Sequence, residues 1–197
     1  MSKLALFDFD GTISSQDSFG HILQVSFPRS RYALGLLKLW PVLLAYKLGL
    51  YSNEKAKQHV LRFFFGGMSE ADFNTLCEKY ARKHLSEIIR PEALEALKKH
   101  KENNDRVVIV SASIENWLQP FAAEHGAELI ATKMEVENGK ITGNLSGPNC
   151  YGSEKVKRLR KHLQISDYDE IYAYGDSPGD KEMLAIAHHP NYRPFRG

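Results

Sequence analysis

Hydrophobic and polar positions fall into two periods along this chain. Four short apolar runs, Leu4 to Phe7, Arg106 to Val110, Glu128 to Ala131 and Glu170 to Tyr174, are too brief for helices and are followed by turn or polar residues. Such runs suit strands of a parallel sheet buried on both faces. Helical spacing fills the stretches between them. A helix is expected from a serine cap at Ser14-Ser15 through Phe19, Ile22, Leu23 and Phe27, another from Ser52 to Phe65, and a third from Ser69, paired with Asp72 as in a capping box, to about Leu85. Residues 92–101, Ile114 to His125, Ser153 to Leu163 and a segment ending near Ala187 read the same way, with His188-His189-Pro190 closing the last. Lys133 to Glu137 and Lys140 to Thr142 alternate around Asn138-Gly139, the signature of a hairpin.

The window Tyr32 to Tyr51 is the most apolar in the chain, interrupted by Lys38, Pro41, Lys47 and two glycines. Two lysines and a central proline argue against a membrane span. The expectation is buried helices of a helical subdomain, with Trp40 and Phe63-Phe64-Phe65 in its core. An interfacial surface is the alternative.

Strand-helix alternation with a helical block after the first strand predicts an α/β fold: a Rossmann-like parallel sheet core, an inserted all-helical cap and a small hairpin. Residues 1–13 and 89–197 would form the core and 14–88 the cap. Right-handed crossovers bring strand ends to one sheet edge. That edge would gather Asp8, Asp10, Ser111, Asp176 and Asp180, at the position where open α/β sheets bind ligands.

Composition narrows the partners. Lys plus Arg total 26 and Asp plus Glu 24, so no strong field calls for nucleic acid. The two cysteines, Cys77 and Cys150, are too few for a disulfide scaffold or a structural zinc site and fit a reducing compartment. Met1 to Lys3 leave no room for a signal peptide, so a cytoplasmic protein is expected.

Three aspartates at one edge repel unless a cation lies among them. Hard oxygen ligands without His or Cys point to Mg²⁺, which usually shares its site with phosphate. Asp176 suits direct ligation, and Asp180, four residues on, the orientation of metal-bound water. Gly11, the Ser111 hydroxyl and nearby amides offer donors to an anion, and Lys155 adds positive charge. Of Asp8 and Asp10, one could attack phosphorus and the other carry the proton.

These residues resemble the haloacid dehalogenase superfamily, in the branch that includes phosphoserine phosphatase. Asp8-Phe9-Asp10-Gly11-Thr12 matches its first motif, Ser111 its second, Lys155 its third, and Gly175-Asp176-Ser177-Pro178-Gly179-Asp180 its fourth. The resemblance implies Asp8 as nucleophile and Asp10 as acid and base. Mg²⁺ would be held by Asp8, the Asp10 carbonyl and Asp176, and phosphate by Gly11, Thr12, Ser111, Ala112 and Lys155. Asp10 speaks for phosphate monoester hydrolysis, although a phosphomutase keeps the same pair. Phosphoserine phosphatases grip their substrate with a cap glutamate and arginine. Asp17 stands at the first position, and His59 or Arg62 near the second. The cap is also similar to that of bacterial phosphatidylglycerophosphate phosphatases, so the expected substrate is a small or amphiphilic phosphomonoester. A membrane surface is a secondary possibility, and oligomeric state stays open.

Overall fold

The computed structural model describes residues 2–196; Met1 and Gly197, the outer ends of the expected core segments, lie outside the described residues. The chain opens with β1 (Lys3–Phe7), followed by α1 (Ser18–Ser26), α2 (Arg29–Lys47), α3 (Asn53–Phe65) and α4 (Glu70–Lys83). Then come α5 (Pro91–Glu102), β2 (Arg106–Ile114), α6 (Glu115–Glu124), β3 (Glu128–Thr132), β4 (Met134–Glu137) and β5 (Lys140–Leu145). The last elements are α7 (Ser153–His162), β6 (Glu170–Gly175), α8 (Lys181–Ala185) and β7 (His189–Tyr192).

Five strands form a parallel sheet in the order β3-β2-β1-β6-β7, with β1 at its centre. Alternation along β1 explains the two-sided burial. Ala5 and Phe7 join the apolar cluster that holds Leu97 and Trp117, while Leu4 and Leu6 join the one that holds Leu159 and Met183. Pairing at Leu6 with Val108 and Ala173 sets the strand ends side by side.

The hairpin β4-β5 turns at Asn138 (φ +50°) and Gly139 (φ +72°). It then docks on the link between α3 and α4: Gly67 N donates to the Ile141 carbonyl at 2.8 Å and Ile141 N to that of Met68 at 2.9 Å. The helical layer therefore includes a ribbon contributed from much later in the chain.

Several expectations change. The cap of α1 is Asp17, whose carboxylate accepts from Phe19 N at 3.1 Å, while the Ser14 hydroxyl donates to the carbonyls of Phe9 and Gln16. Ser52 and Ser69 do cap α3 and α4. The buried-helix reading of residues 32–51 fails: they are mostly one helix, α2, in which only Gly35 is buried and Trp40 is 56% exposed. Its inner stripe, Tyr32, Leu39 and Leu43, meets the helical core, and among the described residues nothing covers the opposite side. Among the described residues no helix is long and apolar enough to cross a membrane. Phe64 and Phe65 are buried as expected, and Phe63 partly so. Strand β2 continues through Ser111-Ala112-Ser113 to Ile114 beside β3. Finally, α8 stops at Ala185, and His189-Pro190 belong to the edge strand β7, where Pro190 is tolerated because no neighbour needs its N–H.

Candidate active site

The ends of β1, β2 and β6 converge as the pairing dictates. Asp8 follows β1 and still pairs with β6, its N–H donating to the Tyr174 carbonyl at 2.9 Å. The chain then leaves the sheet in one wide turn over Phe9–Ile13, with Gly11 at φ +82°. A Cβ at Gly11 would stand 2.5 Å from Asp176 Oδ2, so glycine serves both the conformation and the close approach of Asp176. Because of this turn Asp8 and Asp10 do not share a strand face, yet both line the same cavity.

Lys155, on α7, is the centre of charge. It is 1% exposed, and its Nζ donates to Asp8 Oδ1 at 2.5 Å and to Asp180 Oδ1 at 2.6 Å. Burial alone would lower its pKa, but the two carboxylates outweigh burial and raise it. Asp8 also accepts from the Thr12 hydroxyl at 3.3 Å. Burial, with Asp180 and Asp10 adding to it and Lys155 opposing, pushes the Asp8 carboxyl up to about 7.

Asp180 uses its other oxygen to accept from Asp176 N (3.2 Å), Ser177 N (3.0 Å) and Ser177 Oγ (2.8 Å). Burial works against its ionisation, but Lys155 and the Ser177 donors hold it below the usual carboxylate range. Asp176 is raised by burial and by Asp180, with Arg196 opposing; the Arg196 Nη2 to Asp176 Oδ2 distance is 2.7 Å. Asp8, Asp176 and Asp180 each offer one carboxylate oxygen within 4.8 Å of the others.

Asp10 turns toward the helical layer. Its Oδ1 accepts from Ser18 N at 2.7 Å and its Oδ2 from Ser113 Oγ at 2.5 Å. Ser113 and Ala112 line the cavity, whereas Ser111 lies buried below them, its hydroxyl accepting from Ser113 N at 3.0 Å.

The cavity holds about 370 Å³. Asp8, Asp10, Ala112, Ser113, Tyr151, Lys155 and Ser177 form the sheet side, and Asp17, Phe19, Leu43, Tyr46, Asn53, Ala56, Lys57 and Val60 the helical side. Partial loss of hydration and the neighbouring Asp10 push the Asp17 carboxyl up to about 6, although the residue stays open to solvent. Lys57 is lowered by burial against the pull of Asp10 and Asp17. Its Nζ donates across to the Ala112 carbonyl at 2.8 Å and to Asn149 Oδ1 at 3.2 Å.

His59 and Arg62 are not among the residues that line the cavity. The face of α3 turned to the cavity carries Asn53, Ala56, Lys57 and Val60, a three-four spacing that leaves positions 59 and 62 out. His59 Nε2 hydrogen-bonds with the Tyr51 hydroxyl at 2.9 Å, and Arg62 Nη2 reaches Asn144 Oδ1 on the hairpin at 2.5 Å. Lys57, Ser113 and Tyr151 escaped the sequence reading. The local helical period of α3 could have marked Lys57 as facing the same way as Ala56 and Val60, but no local pattern shows what that face meets.

The profile of haloacid dehalogenase-like hydrolases matches residues 5–185. Over 196 residues the chain is 37% identical to protein CicA of Caulobacter vibrioides, covering 98% of this chain and 87% of that one. It is 31% identical over 206 residues to a probable phosphatase of Mycobacterium tuberculosis, covering 98% and 69%. A substrate-bound phosphoserine phosphatase structure superposes with a TM-score of 0.67 at 18% identity, covering 95% of this chain and 83% of that one, and so shares the fold. A match from the first strand to the last helix, with carboxylates at the converging strand ends, leaves one assignment: the chain belongs to the haloacid dehalogenase-like hydrolases.

Proposed function

We propose that this protein is a Mg²⁺-dependent phosphomonoester hydrolase that works through an aspartyl phosphate on Asp8. The observation that carries the reading is the fixed position of Asp8, clamped by buried Lys155 beside Asp176 and Asp180 while Asp10 faces the same cavity. The Mycobacterium tuberculosis relative, a probable phosphatase, supports the same class of reaction. Residues 14–88 act as the cap and the remainder as the catalytic core.

The donor set fits the metal. Asp8, Asp176 and Asp180 present only hard carboxylate oxygens, as Mg²⁺ prefers. Asp8 and Asp176, with the Asp10 carbonyl, would hold the ion, and Asp180 would orient its water. When bound, it supplies positive charge to the phosphoryl oxygens. Lys155 adds a second positive charge there and keeps the Asp8 carboxylate pointed at the cavity. An Asp8 oxygen attacks phosphorus, the bond from phosphorus to the ester oxygen breaks, and Asp10 gives that oxygen its proton. Asp10 then takes a proton from water, whose oxygen attacks phosphorus and releases phosphate from Asp8. The Ser113 hydroxyl and Ser18 N–H hold the Asp10 carboxylate in place for both transfers. Ala112 and Ser113 border the phosphate position, with Gly11, Thr12 and Ser111 packed behind them.

Phe19, Leu43, Tyr46, Val60 and Tyr151 make much of the remaining cavity wall apolar, with Asp17 and Lys57 as its charged groups. This lining favours an organic phosphate that has both a polar head and an apolar portion. A panel of phosphate esters assayed with and without Mg²⁺ tests the reaction. Asp8→Asn lowers turnover by about four orders of magnitude while circular dichroism stays unchanged. Retained turnover in that variant rules out attack by Asp8.

A further inference from the structure

Helix α2 is apolar on both sides, but protein covers only one. Toward the core it presents Tyr32, Gly35, Leu39 and Leu43, and a Cβ on Gly35 would lie 2.6 Å from the Phe64 ring, so this contact is tight. Outward it presents Leu34, Leu37, Trp40 and Leu44, continued beyond the helix by Leu48 and Leu50. Leu37 is 69%, Trp40 56% and Leu50 78% exposed. Helices apolar all round are ordinarily buried or in contact with lipid, and a continuous exposed patch of this kind marks an interaction surface.

Charge identifies the occupant. From Ser18 to Asn53 the sequence contains no Asp or Glu, whereas Arg29, Arg31, Lys38 and Lys47 are all present and exposed. A leucine and tryptophan surface whose own segment supplies cations and no carboxylate is complementary to an anionic lipid surface. A symmetric contact with a second copy would instead set these cations against their own equivalents. The helix is about 28 Å long at 1.5 Å per residue. Pro41 leaves a carbonyl unpaired on its preceding turn, which water can satisfy at the headgroup level but hydrocarbon cannot.

We propose that α2 docks this protein onto anionic phospholipid surfaces, lying in the interface plane with Leu37 and Trp40 inserted. Leu43 and Tyr46, on the inner side of the same helix, line the catalytic cavity, so the docked helix holds that cavity within about one helix diameter of the membrane. The docking stands independently of the phosphatase reading, because neither Leu37 nor Trp40 lines the cavity.

Flotation of the full chain with phosphatidylcholine vesicles, with and without phosphatidylserine, tests it. The expected result is partition into the anionic vesicles about tenfold or more above the zwitterionic ones, weakening as salt rises. The chain has two tryptophans and Trp117 is fully buried, so a blue shift and quenching by brominated lipid report on Trp40. Leu37→Glu with Trp40→Glu abolishes flotation and leaves hydrolysis of a small soluble ester unchanged. If that variant does not fold, Lys38→Glu with Lys47→Glu carries the test through the electrostatic part alone. The proposal is overturned if the wild type stays unbound, if the folded Leu37 and Trp40 variant floats equally well, or if these substitutions only convert a dimer into a monomer.

Discussion

A single residue sets the balance of the site. Lys155 is the partner of two buried carboxylates, and nothing in the sequence around it distinguishes it from the exposed Lys157, Arg160 and Lys161 of the same helix except position. Removing it leaves Asp8 and Asp180 without their cation at a depth where an unpaired charge costs about 3–5 kcal/mol. Lys155→Met therefore lowers unfolding stability in EDTA by about that amount, measured by urea denaturation. Lys157→Met, on the exposed side of the same helix, changes stability by less than about 0.5 kcal/mol. Equal effects from the two would mean that Lys155 is not the internal counter-ion.

Elements differ in how far local sequence reveals them. The carboxylates of β1 and β6 were legible because strand ends, turn glycines and acids lie within a few residues of each other. The strand β7 was not, because an exposed His-Pro-Asn-Tyr edge carries neither period. Residues 32–51 were misread for a different reason: hydropathy reports which side chains leave water, not whether a second layer exists to receive them. Lys57, and the exclusion of His59 and Arg62, depend on how α3 is rotated against the sheet, and the hairpin fixes that rotation. Gly143 sits at φ +87°, where a Cβ would stand 2.3 Å from the Arg62 Cα. Gly143→Ala combines a left-handed backbone penalty with backbone overlap, and costs about 2–4 kcal/mol. Because the displaced partner is α3, which carries Asn53 and Lys57 into the cavity, KM rises more than kcat falls. Thermal unfolding and steady-state kinetics on the same preparation check both; loss of stability with unchanged KM would separate the hairpin from cavity shape.

Charge is distributed unevenly over the whole molecule. The chain carries a formal net charge of +2, yet at the sheet edge and the cavity above it Asp8, Asp10, Asp17, Asp176 and Asp180 face Lys57, Lys155 and Arg196, leaving 5 − 3 = two negative charges there when all are ionised. A divalent cation matches that deficit, so Mg²⁺ should stabilise the fold as well as support turnover. At a hundred times its dissociation constant the gain is about 2.7 kcal/mol, or about 5–10 °C in a chain of this size. Proton linkage gives the gain a direction. In the metal-free protein burial raises Asp8 to about 7, so below that pH it increasingly holds a proton. A ligand carboxylate must be ionised, so Mg²⁺ binding releases that proton and weakens as pH falls, by at most about tenfold per unit. Above pH 7 Asp8 is already ionised and its contribution to the dependence levels off. Thermal shifts titrated with Mg²⁺ at pH 6 and pH 8 therefore give a weaker apparent affinity at pH 6. Calorimetry at pH 6 in two buffers of different ionisation enthalpy reports proton release directly. An affinity that does not change between the two pH values, with no buffer-dependent heat, would place Asp8 ionised throughout and make Lys155, rather than the metal, the group that decides its charge.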